Sequence, residues 1–166
     1  MKSLSAEIPV VTPSGTFTAR YSEKGLAELN FPKKDRKKNQ VNSQSANRIP
    51  QLKKWHRLTE SALKKVLTGK KAKLPPLDWN GATDFQKSVW REMLKIAPGK
   101  TKSYGEIANA IRNPKAVRAV GGACGANPIP VLVPCHRILA ANKKIGGFSG
   151  GLDWKRKLLT TEGVLL

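Results

Sequence analysis

Apolar and polar positions alternate through the first 31 residues and then change period. Val10-Val11 and Phe17-Thr18-Ala19-Arg20-Tyr21 flank the turn Pro13-Ser14-Gly15, and Glu23-Lys24-Gly25 precedes Leu26-Ala27-Glu28-Leu29-Asn30-Phe31. Alternation bounded by turn residues predicts strands, so residues 8–31 read as a small antiparallel meander. Residues 32–50 are polar, include Lys33-Lys34-Asp35-Arg36-Lys37-Lys38, and read as an exposed basic loop. From residue 51 the period is helical. Leu52, Trp55, Leu58, Ala62, Val66 and Leu67 share one side of a helix over 51–68, and Lys53, Lys54, Arg57, Lys64 and Lys65 take the other. His56 lies between these sets and reads as a boundary residue rather than a ligand. Lys70 to Pro76 is a linker, with a domain boundary near residue 78.

The second half reads as helices separated by sharp turns. Thr83 with Gln86 three residues on is a capping-box pattern; Phe85, Val89, Trp90, Met93, Leu94 and Ile96 supply the apolar stripe, and Pro98-Gly99 ends it. Ser103 and Glu106 repeat the pattern before Ile107, Ala108 and Ile111. Asn113-Pro114 is a tight turn, and Pro114 suits the first position of a helix over about 114–125. Apolar Pro128-Ile129-Pro130-Val131-Leu132-Val133 predicts a short buried strand, followed by a loop at Asn142 to Gly147 and a last helix over about 150–161.

Charge narrows the class. The 166 residues carry 31 basic and 11 acidic side chains, a formal net charge of +20. Such an excess implies a polyanionic partner, with nucleic acid first and an anionic membrane surface second. No segment approaches the length of a membrane span, and the N-terminus lacks the apolar run of a signal peptide. Two cysteines build neither a disulfide framework nor a C-x-x-C zinc knuckle. The expectation is an intracellular, cytoplasmic protein with free thiols and no metal.

The chemistry concentrates in Pro134-Cys135-His136-Arg137, which holds one of two cysteines and one of two histidines. A thiol beside an imidazole is a candidate nucleophile with its proton acceptor. Neighbours in an extended segment point to opposite sides, so a direct bond is awkward and a bridging water or a bend is required. An imidazole base also needs an orienting carboxylate. Glu106 is used in capping and Asp153 suits the first turn of the last helix. Glu162 lies near that helix's C-terminus, where negative charge is disfavoured, and so invites a specific partner, His136. A buried inert cysteine and a plain surface glutamate stay open on these residues alone. Cys124 is assigned to packing or pocket lining. The helix carrying it reads Lys115-Ala116-Val117-Arg118-Ala119-Val120-Gly121-Gly122-Ala123-Cys124-Gly125. Each interior glycine costs a helix about 1 kcal/mol against alanine. The glycines therefore suggest a close approach, by a DNA backbone or groove or by a packed helix. With the preceding short helix it makes a helix-turn-helix pattern, and Arg118 could enter a groove or replace an extruded base. A basic regulator without chemistry and a cysteine hydrolase are competing classes.

From about Phe85 to Gly163 the chain closely resembles the O6-alkylguanine-DNA alkyltransferases (methylated-DNA–protein-cysteine methyltransferases). The likeness rests on Ser103-Tyr104-Gly105-Glu106-Ile107-Ala108, Arg118 to Ala123, Asn127 to Arg137 and Gly147-Phe148-Ser149-Gly150-Gly151-Leu152. It implies an α+β fold. A small antiparallel sheet with a helix, ribonuclease H-like, occupies residues 1–78. A mostly helical domain with a winged helix-turn-helix occupies 79–166. It implies a self-inactivating transfer of an alkyl group from guanine O6 in double-stranded DNA to Cys135, by a monomer without a cofactor, and leaves O4-alkylthymine open as a substrate.

The residue roles follow from the same resemblance. His136, held by Glu162, deprotonates Cys135 through water. Tyr104 assists base extrusion and donates to guanine N3. Asn127 braces the active-site segment. Arg118 fills the vacated stack, with Ala116, Ala119, Gly121 and Gly122 along the DNA. Pro130, Ile138, Ile145, Gly146, Phe148 and Ser149 form the alkyl-guanine pocket, and Lys155 supports its loop. Two positions depart from the family pattern: Phe148 stands where some members have tyrosine, and Cys124 where a larger residue is common. The first half has no cysteine, so neither a zinc site nor a phosphotriester-accepting thiol is implied.

Overall fold

Three strands open the chain: β1 (Ala6–Thr12), β2 (Gly15–Ser22) and β3 (Gly25–Asn30), antiparallel in the order β1-β2-β3. This computed structural model describes residues 5–33 and 50–166; most of the expected basic loop over 32–50 lies outside the described residues. Val10 pairs with Phe17 and Ala19 with Leu29, and all four are buried, as alternation demands of a sheet with one covered face. Gly25 has φ +150°, and a Cβ there would fall 2.3 Å from the Pro76 carbonyl oxygen. Only glycine lets β3 accept the returning chain so closely, through Leu26 N to Pro76 O at 2.8 Å and Asp78 N to Leu26 O at 2.8 Å. Helix α1 (Leu52–Val66) lays Leu52, Thr59, Ala62, Leu63 and Val66 on the sheet. His56 sits at its margin, with Nδ1 3.0 Å from the Tyr21 hydroxyl.

The remaining elements are α2 (Asp84–Leu94), β4 (Lys102–Ser103), α3 (Tyr104–Ala110), α4 (Val117–Gly125), β5 (Ile138–Leu139) and α5 (Leu152–Thr161). Both capping boxes form: Thr83 with Gln86 opens α2, and Ser103 with Glu106 opens α3. Helix α4 packs on α2 and α3, and Trp90 Nε1 donates to the Ala123 carbonyl at 2.8 Å. β4 pairs in parallel with β5.

One cluster of buried side chains runs from Val10 in β1 to Leu158 in α5. Phe17 lies 5.6 Å from Phe31 and 5.5 Å from Trp154, centroid to centroid. Leu29 N donates to the Pro128 carbonyl at 2.9 Å. The sheet thereby backs both α5 and the segment leading to Cys135. Among the described residues no helix is long and apolar enough to cross a membrane, and no three His, Cys, Asp or Glu side chains group as metal ligands.

Four local expectations need correction. The apolar run 128–133 is not a strand; its pairing is one isolated bridge, Pro130 with Val133. Three prolines at 128, 130 and 134 remove ladder donors, and Val131 adopts φ +73°. The chain thus folds back on itself, with Val133 N bonded to Ile129 O. Cys135, His136 and Arg137 then form a single 3-10 turn, not an extended segment. The helix expected from 114 begins at Val117. The tight turn expected at Asn113-Pro114 does form, closed by Ala116 N to Asn113 O at 3.0 Å, with Asn and Pro as its favoured first two residues, and it occupies the positions given to the helix's first turn. Six residues, 111–116, therefore connect α3 to α4. Helix α2 ends at Leu94, before Pro98-Gly99, as Lys95 N and Ile96 N bond to carbonyls three residues back.

Candidate active site

Asn127 is the brace of the site. Its Oδ1 accepts from Ile129 N at 3.0 Å, and its Nδ2 donates to the Val133 carbonyl at 2.9 Å and to Cys135 Sγ at 3.3 Å. One buried amide thus satisfies the fold-back of 129–133 and directs a hydrogen bond at the sulfur. Cys135 N also bonds to Val133 O at 2.8 Å. The thiol is 5% exposed. Burial pushes its pKa up, against the Asn127 hydrogen bond and the Lys155 charge that pull it down. At neutral pH the resting sulfur is a thiol, and ionisation requires a base.

His136 is fully buried, and its Nε2 lies 2.9 Å from Glu162 Oε1. Burial pushes the Glu162 carboxyl up, but bonds and charges from His136 and Arg137 outweigh it and hold the group at about 2. An ionised carboxylate only accepts, so Nε2 carries the proton. Burial lowers the imidazole pKa, against the Glu162 hydrogen bond and charge that raise it. The ring is therefore neutral, and Nδ1 holds a lone pair. That Nδ1 is buried and has no partner among the described residues. A bare basic nitrogen next in sequence to the thiol has the chemistry of a proton acceptor reached through a water.

Arg137 is the residue that sequence reasoning passed over. Its Nε donates to both Glu162 oxygens at 3.1 and 3.0 Å, one terminal nitrogen to Oε1 at 2.7 Å, and the other to the Ile96 carbonyl at 2.6 Å. Glu162 Oε2 also accepts from Gly99 N at 3.2 Å. The only signal was a basic residue directly after a buried run, and its carboxylate partner lies far along the chain. Lys155 is another buried cation. It donates to the carbonyls of Ile138 at 2.7 Å and Gly147 at 3.0 Å, and burial lowers its pKa to about 8.

Tyr104 stands at the start of α3, between two glycines. A Cβ on Gly121 would be 4.0 Å from its ring, and one on Gly146 would be 3.2 Å from its hydroxyl. Burial raises its pKa, so the hydroxyl keeps its proton and can donate. Phe148 packs edge-on to His136 with centroids 6.5 Å apart. Pro130 and Ile138 are buried, Ile145 and Gly146 half-buried, and Ser149 exposed. Ile138 contributes through its backbone, by accepting from Lys155 and by pairing with β4. Cys124 packs inward against Met93, with its thiol pushed up to about 12 by burial.

Helix α4 has two unlike faces. Val120, Ala123 and Cys124 are buried. Arg118 is exposed, and a Cβ on Gly122 or Gly125 would meet nothing within 4 Å. Arg118, Gly121, Gly122 and Gly125 follow helical spacing, so an arginine is succeeded by a stripe without side chains. The Tyr104 ring of α3 lies against Gly121, whereas nothing among the described residues lies within 4 Å of where a Cβ on Gly122 or Gly125 would sit. Ala119 is exposed beside it, and Ala116 is the N-cap residue.

Residues 84–164 match the family model of the 6-O-methylguanine DNA methyltransferase DNA-binding domain. A methylated-DNA–protein-cysteine methyltransferase of Methanosarcina mazei is 44% identical over 144 residues, which span 84% of this chain and 85% of that one. The chain belongs to the methylated-DNA–protein-cysteine methyltransferase family. Its fold follows that of the solved Mycobacterium tuberculosis O6-methylguanine methyltransferase, with TM-score 0.68, 34% identity, and coverage of 95% of this chain and 92% of that one. A structure described as the M. tuberculosis OGT in complex with DNA matches with TM-score 0.64 and 36% identity, covering 93% and 90%. As in these relatives, a small sheet and a set of helices make an α+β fold.

In this family member the buried carboxylate sets the acid stability. Glu162 titrates lower folded than unfolded, so between its ordinary 4.5 and about 2 the unfolded chain binds the extra proton. Its contribution is full above 4.5 and is lost as pH falls toward 2. Glu162→Gln removes that dependence and, by leaving Arg137 unpaired, costs about 3 kcal/mol at neutral pH. Urea midpoints of both proteins across this window check it; parallel declines on acidification would contradict it.

Proposed function

We propose that the protein repairs DNA by direct reversal, transferring an alkyl group from guanine O6 to Cys135 once and irreversibly. The observation that carries this reading is the buried thiol on an amide brace, followed by an imidazole whose free Nδ1 faces no described protein partner and whose Nε2 is locked to Glu162. The proton leaves Cys135 through a water to His136, and Glu162 stabilises the imidazolium. The sulfur displaces guanine from the alkyl carbon: the S–C bond forms and the C–O bond breaks. Guanine leaves as an anion and takes one proton from Tyr104 at N3, and the proton that His136 took from Cys135 passes through water to restore the Tyr104 hydroxyl, so that the protons balance. The product thioether has no route back to a thiol, so each molecule acts once.

A guanine inside a duplex cannot reach a buried sulfur. The side-chain-free stripe on α4 supports entry of that helix into the minor groove. Arg118 would fill the stack behind the flipped base, and Tyr104 would press on its phosphate side. Pro130, Ile138, Ile145, Gly146, Phe148 and Ser149 are read as the pocket, with Ser149 at O6. Phe148 brings a ring without a hydroxyl. We read β1–β3 with α1 as a ribonuclease H-like support over residues 1–78. In residues 79–166, α3 and α4 with the β4–β5 pair are read as a winged helix-turn-helix. The protein acts as a monomer without a cofactor. A cysteine hydrolase would instead pass through a thioester and turn over, an outcome distinct from one stable thioether per molecule.

Incubation with a duplex carrying O6-methylguanine is expected to add one methyl mass at Cys135, and none in Cys135→Ala. Absence of transfer under reducing conditions would overturn the proposal. In the same assay Arg118→Ala is expected to slow repair of the duplex at least tenfold while leaving reaction with free O6-benzylguanine within about twofold, as expected for a residue that offsets part of the unstacking cost. Equal losses on both substrates would remove Arg118 from base flipping.

A further inference from the structure

Helix α1 lies on the sheet, away from the α2–α3 packing that holds α4, yet it carries a dense cationic face. Lys53, Lys54, Arg57, Lys64 and Lys65 are all exposed. At 3.6 residues per turn they fall within an arc of about 120° along about 18 Å of helix. Ser61, also exposed, lies in the middle of the arc. The helix's one carboxylate, Glu60, sits at the margin with His56 at 3.6 Å. Beyond α1, Lys70, Lys71 and Lys73 are exposed, and no acidic residue occurs from 61 to 77.

The fold itself does not account for this face. Lys64 and Lys65 suit the negative end of the helix, but Lys53 and Lys54 occupy the first turn, where cations are disfavoured and no acidic residue is present. Like charges at i,i+4, as in Lys53 and Arg57, also oppose the helix. Several cations elsewhere have carboxylate partners: Arg20 with Glu28, Lys95 with Glu92, Arg156 with Asp153. None of the five on α1 forms an ion pair with a described residue. An unneutralised arc of this length matches an extended polyanion. A membrane surface is disfavoured because α1 exposes no large apolar side chain to anchor in lipid.

We propose that this face of α1 is a second contact for the DNA backbone, separate from α4, which holds a further stretch of duplex through its phosphates without reading sequence. The proposal rests on duplex DNA being the partner. It predicts that an undamaged duplex protects Lys53, Lys54, Lys64 and Lys65 from acetylation, read by mass spectrometry, while exposed Lys24 stays reactive. Replacing Lys53, Lys54, Arg57, Lys64 and Lys65 with Gln is expected to make the slope of log affinity against log salt shallower by up to about 4.5, at roughly 0.9 for each phosphate that is no longer neutralised. Arginine at the four lysine positions should keep the slope, and both variants should react with free O6-benzylguanine like the parent. An unchanged slope, no protection by duplex, or protection by anionic vesicles but not by duplex would overturn the α1 contact. Transfer from free O6-benzylguanine is scored separately: its absence, with protection intact, defeats the repair reading and leaves the α1 contact standing.

Discussion

A single buried carboxylate holds the working parts of this protein together. Glu162 caps the C-terminus of α5, an end that already carries negative partial charge, and its side chain is fully buried. Withdrawing such a charge from water costs several kcal/mol unless it is paired and hydrogen-bonded. Here the compensation comes from the parts that must be aligned. Arg137 reaches it with two nitrogens and ties it to the end of α2 through Ile96, Gly99 N closes from the 97–100 turn, and His136 donates from beside the thiol. The same contacts that make the charge tolerable fix the imidazole's tautomer.

That tautomer decides what the thiol can do. A low-pKa thiolate would be reactive toward any electrophile or oxidant. Here burial keeps Cys135 protonated, and the Asn127 amide and the Lys155 charge offset only part of that effect. The base beside it is neutral, and its Nδ1 has no partner among the described residues. A sulfur that ionises only when an alkyl carbon is in line suits the single irreversible transfer proposed for it. Lys155 contributes by holding the chain at Ile138 and Gly147, on either side of the 141–146 loop, from one point on α5.

The parts legible in the sequence were those written locally. The two capping boxes, the strand alternation and the lysine side of α1 each depend on residues a few positions apart. Glu162 was legible because its position was unfavourable, and an unfavourable position asks for a partner. The fold-back before Cys135 was not legible as such. Its residues are apolar enough for a strand, and its shape is set by proline spacing together with one amide, Asn127, whose side chain bonds three groups two to eight residues ahead. Arg137 was missed because its partners lie on α5 and at the end of α2. The glycine pair on α4 left helix packing and DNA equally open, and the structure divides them: Gly121 faces the Tyr104 ring, while Gly122 and Gly125 have no neighbour within 4 Å of a Cβ among the described residues.

The central claim is that Cys135 rests as a thiol and is ionised on demand by the His136–Glu162 pair. The most direct test is the ultraviolet thiolate absorbance of the free protein as a function of pH, taken as the difference from Cys135→Ser. Cys124, pushed up to about 12 by burial, contributes little at neutral pH and is common to both proteins in the difference. The account predicts no thiolate signal at neutral pH and a titration above the ordinary thiol value of 9.0. A thiolate already present at pH 7 would contradict it.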